Sequence, residues 1–278
     1  MKYIDAHAFV WSNDNLSYPI AKDFSNLPSG KIEFSPPELL LRNARPSSVE
    51  KFVLIQAPQY LSDNTYVIEQ VARFPEIFQA VVYVDPKNPK VQEEMTNFSK
   101  QGINAFRIIT SSNLNPGYYQ DNGYDVMFST AEQNNQIISV LTYPDGWIEL
   151  KNISEIYSGV SIVIENMGNI FESKNNSEKL IDDLCKLSNN QNIYLKFSGF
   201  HGVVNQKPDL DELISSIEKL VSAYSSNRLM WGSDFPFQLL HETYEDSISI
   251  LKNDCTFLSE DQKQQILSDT ARDLFFSF

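Results

Sequence analysis

One short segment indicates how this chain folds, Arg228-Leu229-Met230-Trp231-Gly232-Ser233-Asp234-Phe235-Pro236. It predicts a short apolar strand that ends abruptly, because glycine and serine loosen the backbone and Pro236 prevents further strand pairing. A carboxylate at the end of a buried strand is costly unless a cation, a metal ion or hydrogen-bond donors receive it. We therefore interpret Asp234 as a functional residue, with a cap on the following helix as the alternative.

Seven similar apolar segments precede this stretch, and helical periodicity follows each of them. They predict strands over Lys2–Ala6, Phe52–Ala57, Phe78–Val84, Ala105–Ile109, Ile137–Thr142, Val160–Ile164 and Ile193–Phe197. Apolar strands that are each covered by a helix are buried on both faces and pair in parallel. With the opening stretch they make eight, which favours an α/β fold of the (β/α)₈ TIM-barrel type over an open doubly wound sheet. A dinucleotide fold is disfavoured because no Gly-rich phosphate-binding turn follows any strand.

Residues 1–278 are predicted to form one barrel domain with an extra C-terminal helix, since no internal break or repeat suggests a second domain. That last helix begins at Ser259, where Gln262 three residues later completes a capping box. A polar loop over residues 12–34 follows the first strand, and loops of this length are often lids or binding loops.

The composition is acidic, with 22 Lys and Arg against 36 Asp and Glu and a net charge of −14. Such a chain is not expected to bind nucleic acid or an anionic membrane non-specifically. Cys185 and Cys255 lack metal-type spacing and predict free thiols in a reducing compartment. With no targeting signal and no stretch of transmembrane length, the sequence predicts a soluble cytoplasmic protein. The sequence does not determine the oligomeric state, and a homo-oligomer is compatible with it.

Active sites of this barrel form at the C-terminal ends of its strands. The polar residues predicted there are His7, Gln56, Arg107, Tyr143, Glu165, Asn166, Lys196, Ser198 and Asp234, and His201 follows the seventh strand closely. Arg107 and Lys196 are flanked by apolar residues, so each needs a partner or a ligand. The alternative to a functional site is structural ion pairing, Arg107 with Glu165 and Lys196 with Asp234. For His201 the alternative is a loop histidine without function.

Four segments together resemble the amidohydrolase family 2, or amidohydrolase-related, proteins. Ile4–Phe9 resembles the family's opening D-x-H-x-H, and Gly102–Ile108 resembles its G-x-x-G-x-R strand. Tyr194–Gly199 resembles the V-K-x-S-G of the seventh strand, and Trp231–Pro236 resembles the final G-S-D-x-P. The resemblance covers essentially the whole chain. It implies a branch of metal-dependent hydrolases on a (β/α)₈ barrel.

The departures from the family pattern concern its metal ligands. Phe9 stands where the family has its second histidine, Tyr143 where the fifth strand often supplies one, and Glu165-Asn166 where the sixth strand usually ends Asp-His. Only His7 and Asp234 remain, whereas catalytic zinc needs three protein ligands. We therefore predict no tightly held metal. Zinc or manganese would require Glu165 to replace the missing histidines.

The resemblance implies an activity among lactonases of sugar acids or of a pyrone dicarboxylate, some without metal dependence, and decarboxylases of aromatic acids. The prediction is a metal-independent hydrolase of a small carboxylated cyclic ester, acting on an anionic substrate with Asp234 as general base. The other predicted site residues are His7 as a second catalytic group and Arg107, Lys196, Tyr143, Glu165, Asn166 and His201 as substrate-binding groups. The alternatives are a catalytically silent barrel that binds a small acid and a metal-dependent decarboxylase.

Overall fold

The fold is an eight-stranded parallel barrel, seen here in a computed structural model that describes residues 2–22, 24, 32–111, 114–121, 123–172, 177–200 and 209–277. The strands are β1 Tyr3–Phe9, β2 Val49–Ile55, β3 Phe78–Tyr83, β4 Ala105–Ile109, β5 Ile137–Leu141, β6 Ser161–Ile164, β7 Ile193–Phe197 and β8 Leu229–Trp231. Each strand pairs in parallel with the next one along the chain. A parallel bridge between Ala8 and Phe235 joins the first strand to the end of the last. The predicted (β/α)₈ barrel is confirmed.

A helix follows every strand and covers the sheet. The helices are α1 Pro37–Ala44, α2 Thr65–Arg73, α3 Val91–Ser99, α4 Tyr124–Asn134, α5 Trp147–Ile156, α6 Ser177–Lys186, α7 Leu210–Tyr224, α8 Tyr244–Ser249, α9 Glu260–Gln264 and α10 Thr270–Phe275. A π-helical segment, Gln265–Asp269, joins α9 to α10, so the predicted extra C-terminal helix is confirmed. Its capping box of Ser259 and Gln262 is present as predicted.

The first strand is longer than predicted, and this changes the position of His7. The sequence suggested an end at Ala6, but Ala8 and Phe9 continue the ladder by pairing with β2. Between Asp5 and Ala8 the register slips, with three steps on β1 opposite two on β2. A bulge of this kind re-aims the side chains that follow it. As a result the carboxylate of Asp5 reaches helix α8, whereas His7 lies beside Asp234.

The barrel strands are buried on both faces, as expected for a parallel sheet covered by helices. All seven residues of β1 are buried, and the apolar core continues through every strand. Both cysteines are free thiols, as predicted, and the reducing compartment stays a prediction. In the part of the chain that the structure describes, no helix has the length and apolar character required to span a membrane.

Candidate active site

A buried ion pair between Arg107 and Glu165 lies at the C-terminal ends of β4 and β6. Nη2 of Arg107 is 2.7 Å from Oε2 of Glu165, and Nε is 3.1 Å from the same oxygen. Ser139 donates its hydroxyl to Oε1 at 2.8 Å. The three side chains meet because Arg107 pairs with Ser139 across the sheet and Glu165 follows directly after β6. The ion pair that the sequence left as an alternative is therefore formed.

Electrostatics hold this pair in its charged form. Burial by itself would raise the pKa of Glu165, but Arg107, with His7 and Lys196, outweighs burial and lowers that pKa to about 2. The ring of Phe9 lies under the guanidinium, whose carbon is 5.4 Å from the ring centroid. A cation over an aromatic face is favourable when both are desolvated. The aromatic side chain at position 9 therefore supports Arg107.

Lys196 on β7 is a fully buried amine, and its Nζ has no hydrogen-bond partner in the described chain. Burial lowers its pKa to about 8, against the attraction of Glu165. The ring of Phe275, in the C-terminal helix, lies 5.5 Å from Nζ. Among the described residues there is no ion pair between Lys196 and Asp234, so the predicted alternative pairing is not formed. The amine thus remains a positive charge beside Glu165 at neutral pH.

His7 and Asp234 come together where β1 meets the turn after β8. Nε2 of His7 is 3.5 Å from Oδ1 of Asp234, and the backbone N–H of Asp234 donates to the carbonyl of His7 at 2.9 Å. Asp234 adopts a left-handed φ of 61°, which aspartate tolerates better than most residues. A Cβ on Gly232 would lie 2.4 Å from Cβ of His7, so only glycine allows this approach.

The imidazole of His7 is uncharged at neutral pH. Burial lowers its pKa to about 4, although the carboxylate of Glu165 acts in the opposite direction. A neutral imidazole carries one N–H donor and one acceptor nitrogen. Both of its ring nitrogens are buried without a hydrogen-bond partner in the described chain. His7 can therefore offer a hydrogen bond to a bound molecule.

Asp5 connects β1, which carries His7, to the turn after β8 that carries Asp234, a role that the sequence analysis missed. Its carboxylate accepts from the backbone N–H of His7 at 3.0 Å, from the N–H and hydroxyl of Ser233 at 2.9 and 2.6 Å, and from the phenol of Tyr244 at 2.7 Å. Burial raises the pKa of Asp5, and these four hydrogen bonds oppose the increase. The available signal was a carboxylate inside an apolar strand, which requires such donors.

Asn166 lies in a left-handed turn after β6. Four consecutive residues, Asn166 to Asn169, have φ between 49° and 62°, and such a run is rare because each non-glycine residue in it costs about 1–2 kcal/mol. Ser198 donates to Oδ1 of Asn166 at 2.7 Å, and Asn169 donates to the carbonyl of Thr142 at 2.8 Å. Strained backbone of this kind is characteristic of functional sites. It places the Asn166 amide beside Ser198 at the end of β7.

Of the remaining predicted residues, the structure describes Tyr143 but not His201. Tyr143 follows β5 directly, is half-buried and precedes the short 3₁₀ turn Pro144–Gly146. His201 lies outside the described residues. The structure thus brings together His7, Arg107, Glu165, Lys196 and Asp234. Ser139, which the sequence analysis did not select, joins them, and a lone serine in the apolar run of β5 was the available signal.

Among the described residues, the side chains gathered at the strand ends do not fit a catalytic transition metal. His7 and Asp234 lie together, but Glu165 already receives Arg107 and Ser139 on its two oxygens. Phe9 brings a hydrocarbon ring, which cannot coordinate a metal ion, beside His7. Within the described ranges no group of three or more His, Cys, Asp or Glu is arranged to hold a metal ion. A zinc site would need at least three ligands.

Burial of neutral His7 makes stability depend on pH. Its pKa is about 4 in the folded state and about 6.5 when unfolded, so the unfolded chain binds more protons between these values. Stability therefore rises with pH across this window and is lost as pH falls from 6.5 to 4. We expect His7→Gln to reduce that acid loss by about 3 kcal/mol, measured by urea unfolding at pH 7 and pH 4.

The control for this prediction is Ile156→Gln, which replaces an exposed side chain that does not titrate and should leave the pH dependence as in the parent protein. An unchanged acid loss in the His7 variant would contradict a buried, neutral imidazole.

Comparison with known proteins places the chain in a family. The model of the amidohydrolase family matches residues 4–276, nearly the whole length. The chain belongs to the amidohydrolase family. The predicted family is thereby confirmed, and with it the prediction of a hydrolase-type enzyme at that level.

Individual relatives of this amidohydrolase are distant in sequence. It is 22% identical over 247 residues to an L-fucono-1,5-lactonase of Burkholderia ambifaria, with 87% of this chain and 83% of the relative aligned. Its fold is similar to a probable 2-pyrone-4,6-dicarboxylic acid hydrolase of Acinetobacter baumannii with citric acid bound, at 20% identity and a TM-score of 0.83, covering 99% and 100% of the two chains. An amidohydrolase of Burkholderia multivorans with bound zinc has a TM-score of 0.85 at 16% identity and 99% coverage of both chains. At these identities the solved structures establish the fold alone.

Proposed function

We propose that this chain is a lactonase that hydrolyses a small carboxylated cyclic ester without a transition metal. The observation that carries the proposal is the convergence of Asp234 and neutral His7 with two buried cations, Arg107 and Lys196, at one end of the barrel. Ester hydrolysis needs a base for water and positive charge for the oxyanion, and these residues offer both.

In the proposed reaction the carboxylate of Asp234 takes a proton from water while the water oxygen bonds to the ring carbonyl carbon. The resulting oxyanion is stabilised by the ammonium of Lys196 and by the N–H of His7. When the intermediate collapses, the bond between the carbonyl carbon and the ring oxygen breaks. Protonated Asp234 returns its proton to that oxygen, which gives an open-chain hydroxy acid and restores the base. The new carboxyl group then loses its proton to solvent and becomes a carboxylate.

Three buried nitrogens support this assignment. Both ring nitrogens of His7 and Nζ of Lys196 lack a hydrogen-bond partner among the described residues. Buried polar groups are normally satisfied, and exceptions point to catalysis or to a bound molecule. The oxygens of a cyclic ester are acceptors, which a neutral imidazole N–H and an ammonium would satisfy. Tyr143, Glu165, Asn166 and His201 stay predictions as further substrate-binding residues.

Arg107 would bind the substrate carboxylate. Glu165 takes the edge of the guanidinium formed by Nε and Nη2, which leaves the edge that carries Nη1 for a second anion. A guanidinium is planar and can present a pair of N–H donors to a carboxylate. The named relatives support this view, because one acts on a lactone and another, named for a pyrone dicarboxylate, holds citric acid.

The test is a panel of five- and six-membered lactones, with and without a ring carboxylate, assayed by proton release after treatment with a chelator. We expect turnover of a carboxylated lactone, and the same rate in protein whose zinc and manganese content is below stoichiometric by elemental analysis. Loss of activity on chelation and its return with zinc would contradict the metal-free mechanism.

The same panel separates the proposal from its alternatives. A catalytically silent barrel would show ligand-induced thermal stabilisation without turnover of any lactone. Release of carbon dioxide from aromatic acids would indicate a decarboxylase. The single domain, the cytoplasmic location and a homo-oligomer stay predictions.

A further inference from the structure

Tyr244, the first residue of helix α8, places its phenol beside the carboxylate of Asp5 in the first strand. The hydroxyl donates to Oδ2 of Asp5 at 2.7 Å, and the two residues are buried, with 2% and 0% of their surfaces exposed. Burial raises the pKa of Tyr244, so the phenol keeps the proton that it donates. Neither side chain takes part in the proposed reaction, although burying a carboxylate is costly.

The four hydrogen bonds to Asp5 divide evenly between its two oxygens. Oδ1 accepts the backbone N–H groups of His7 and Ser233, at 3.0 and 2.9 Å. Oδ2 accepts two hydroxyls, from Ser233 at 2.6 Å and from Tyr244 at 2.7 Å. A carboxylate has about four lone-pair sites for such bonds, so each donor fixes part of its orientation. The oxygen that holds the backbone of β1 and of the turn after β8 is thus oriented by the phenol on the other oxygen.

The two N–H groups bound by Asp5 flank the pair that is proposed to react. Ser233 directly precedes Asp234, whose own N–H donates to the carbonyl of His7 at 2.9 Å. The distance from Nε2 of His7 to Oδ1 of Asp234 is 3.5 Å, which is long for a hydrogen bond. A small shift of the Asp5 carboxylate would move both backbone segments and so change the spacing of this pair.

The ring of Tyr244 holds the same turn from the side of α8. Its centroid lies 5.9 Å from that of Trp231 and 6.3 Å from that of Phe235, residues on either side of the turn that carries Asp234. The indole N–H of Trp231 also donates to the carbonyl of Ser247 in α8 at 3.2 Å. The start of α8 is therefore packed directly against this turn.

We propose that Tyr244 is a positioning residue for the pair of His7 and Asp234, and that it acts through Asp5 without touching the substrate. The inference rests on the proposed function in treating that pair as catalytic. Phenylalanine at position 244 would keep the ring and its packing but leave Oδ2 of Asp5 with one donor. Since Asp5 is fully buried, no solvent replaces the lost donor, and the carboxylate turns toward its remaining donors. A displacement of about 1 Å at a catalytic group can reduce a rate about 100-fold.

Lactone hydrolysis tests this inference with two variants that each remove one buried phenol hydroxyl. Tyr244→Phe should lower kcat about tenfold and change KM less than about twofold, because the base is displaced and the binding groups are not. The matched control is Tyr224→Phe, since Tyr224 in α7 is also buried and donates to the carbonyl of Leu184 at 2.9 Å. It loses a comparable hydrogen bond and should keep the parent kcat. A purely structural phenol at position 244 would make the two variants behave alike.

Hydrogen–deuterium exchange of the full chain supplies a readout that needs no substrate. In Tyr244→Phe, peptides over residues 229–236 should exchange at least about fivefold faster, relative to peptides over β4, than in the parent protein, because local opening of the turn becomes easier. The ratio removes any change in global stability. In Tyr224→Phe the same ratio should stay at its parent value.

The start of α8 offers a second matched pair of variants. Thr243 caps α8 in a capping box with Asp246, and Ser259 caps α9 in one with Gln262. Both caps are exposed, so Thr243→Ala and Ser259→Ala should fold, each with one helix start loosened. Of the two, only Thr243→Ala should speed exchange over residues 229–236 and lower kcat, by about threefold, since it loosens the turn of helix that holds Tyr244.

Equal kcat in Tyr244→Phe and Tyr224→Phe, or unchanged exchange over residues 229–236 in Tyr244→Phe, would overturn the inference. A higher KM with unchanged kcat would also overturn it, because that result indicates a binding role. If exchange responds as expected while the parent protein hydrolyses no lactone, the positioning by Tyr244 stands and the proposed function fails. If a lactone is hydrolysed and Tyr244→Phe keeps the parent rate, the inference fails and the proposed function stands.

Discussion

Asp234→Asn should lower kcat/KM for lactone hydrolysis by about 10³-fold, because an amide cannot take the proton of the attacking water. The effect should appear in kcat with little change in KM, since the proposed base acts in the transition state. Asparagine has nearly the same size and also tolerates the left-handed φ of 61° at this position. The backbone hydrogen bond from residue 234 to His7 is retained. The fold should therefore survive the substitution.

The comparison for this variant is Asp261→Asn, which changes an exposed carboxylate in α9 and should keep full activity. Unfolding by urea should show equal stability, within about 1 kcal/mol, for the two variants and the parent protein. Lactone hydrolysis that continues at the parent rate in Asp234→Asn would remove this residue from the mechanism.

Arg107→Met should lower the free energy of unfolding by about 3–5 kcal/mol, because it leaves the carboxylate of Glu165 buried without its cation. The double variant Arg107→Met, Glu165→Leu removes both charges, and we expect it to recover most of that loss. Buried ion pairs are costly to desolvate, so their replacement by apolar side chains is often nearly neutral. Both variants should lose substrate binding, because the guanidinium is absent from each.

The free energies are measured by urea unfolding, with the slope of the transition checked for a common denatured state. Lys179→Met supplies the contrast, since Lys179 pairs with Asp183 on the surface of α6 and such pairs contribute little. Two outcomes would contradict a buried ion pair between Arg107 and Glu165. One is that Arg107→Met lowers the free energy of unfolding no more than Lys179→Met does. The other is that the double variant is no more stable than the single variant Arg107→Met.

The strands were predictable wherever the evidence was local. β4 and β7 have the bounds that their apolar runs and flanking turn residues indicated, and Ser259 caps its helix as the spacing of Gln262 required. The end of β1 was wrong by three residues, because pairing of Ala8 and Phe9 with β2 extends the strand. That extension depends on residues more than forty positions away, which no local pattern reports.

For the candidate site too, local features were predictable from the sequence and long-range contacts were not. The residue types at the strand ends were visible in the sequence, as was a phenylalanine at position 9 where the motif that the segment resembles has a histidine. The partner of each charge was not. The sequence offered a partner for Arg107 and one for Lys196, and the structure forms the first pair and leaves Lys196 without a hydrogen bond in the described chain.

By itself the sequence determined the barrel, its family and the strand ends at which the charged residues collect, because apolar periodicity and short motifs are properties of neighbouring residues. Only the tertiary structure decided that a bulge in β1 directs His7 toward Asp234, and that Asp5 bonds to Tyr244, 239 positions along the chain. The physical reason is that register and charge pairing are fixed by contacts between distant segments once the barrel closes. A hydrogen-bond partner at such a separation leaves no periodic trace in the sequence.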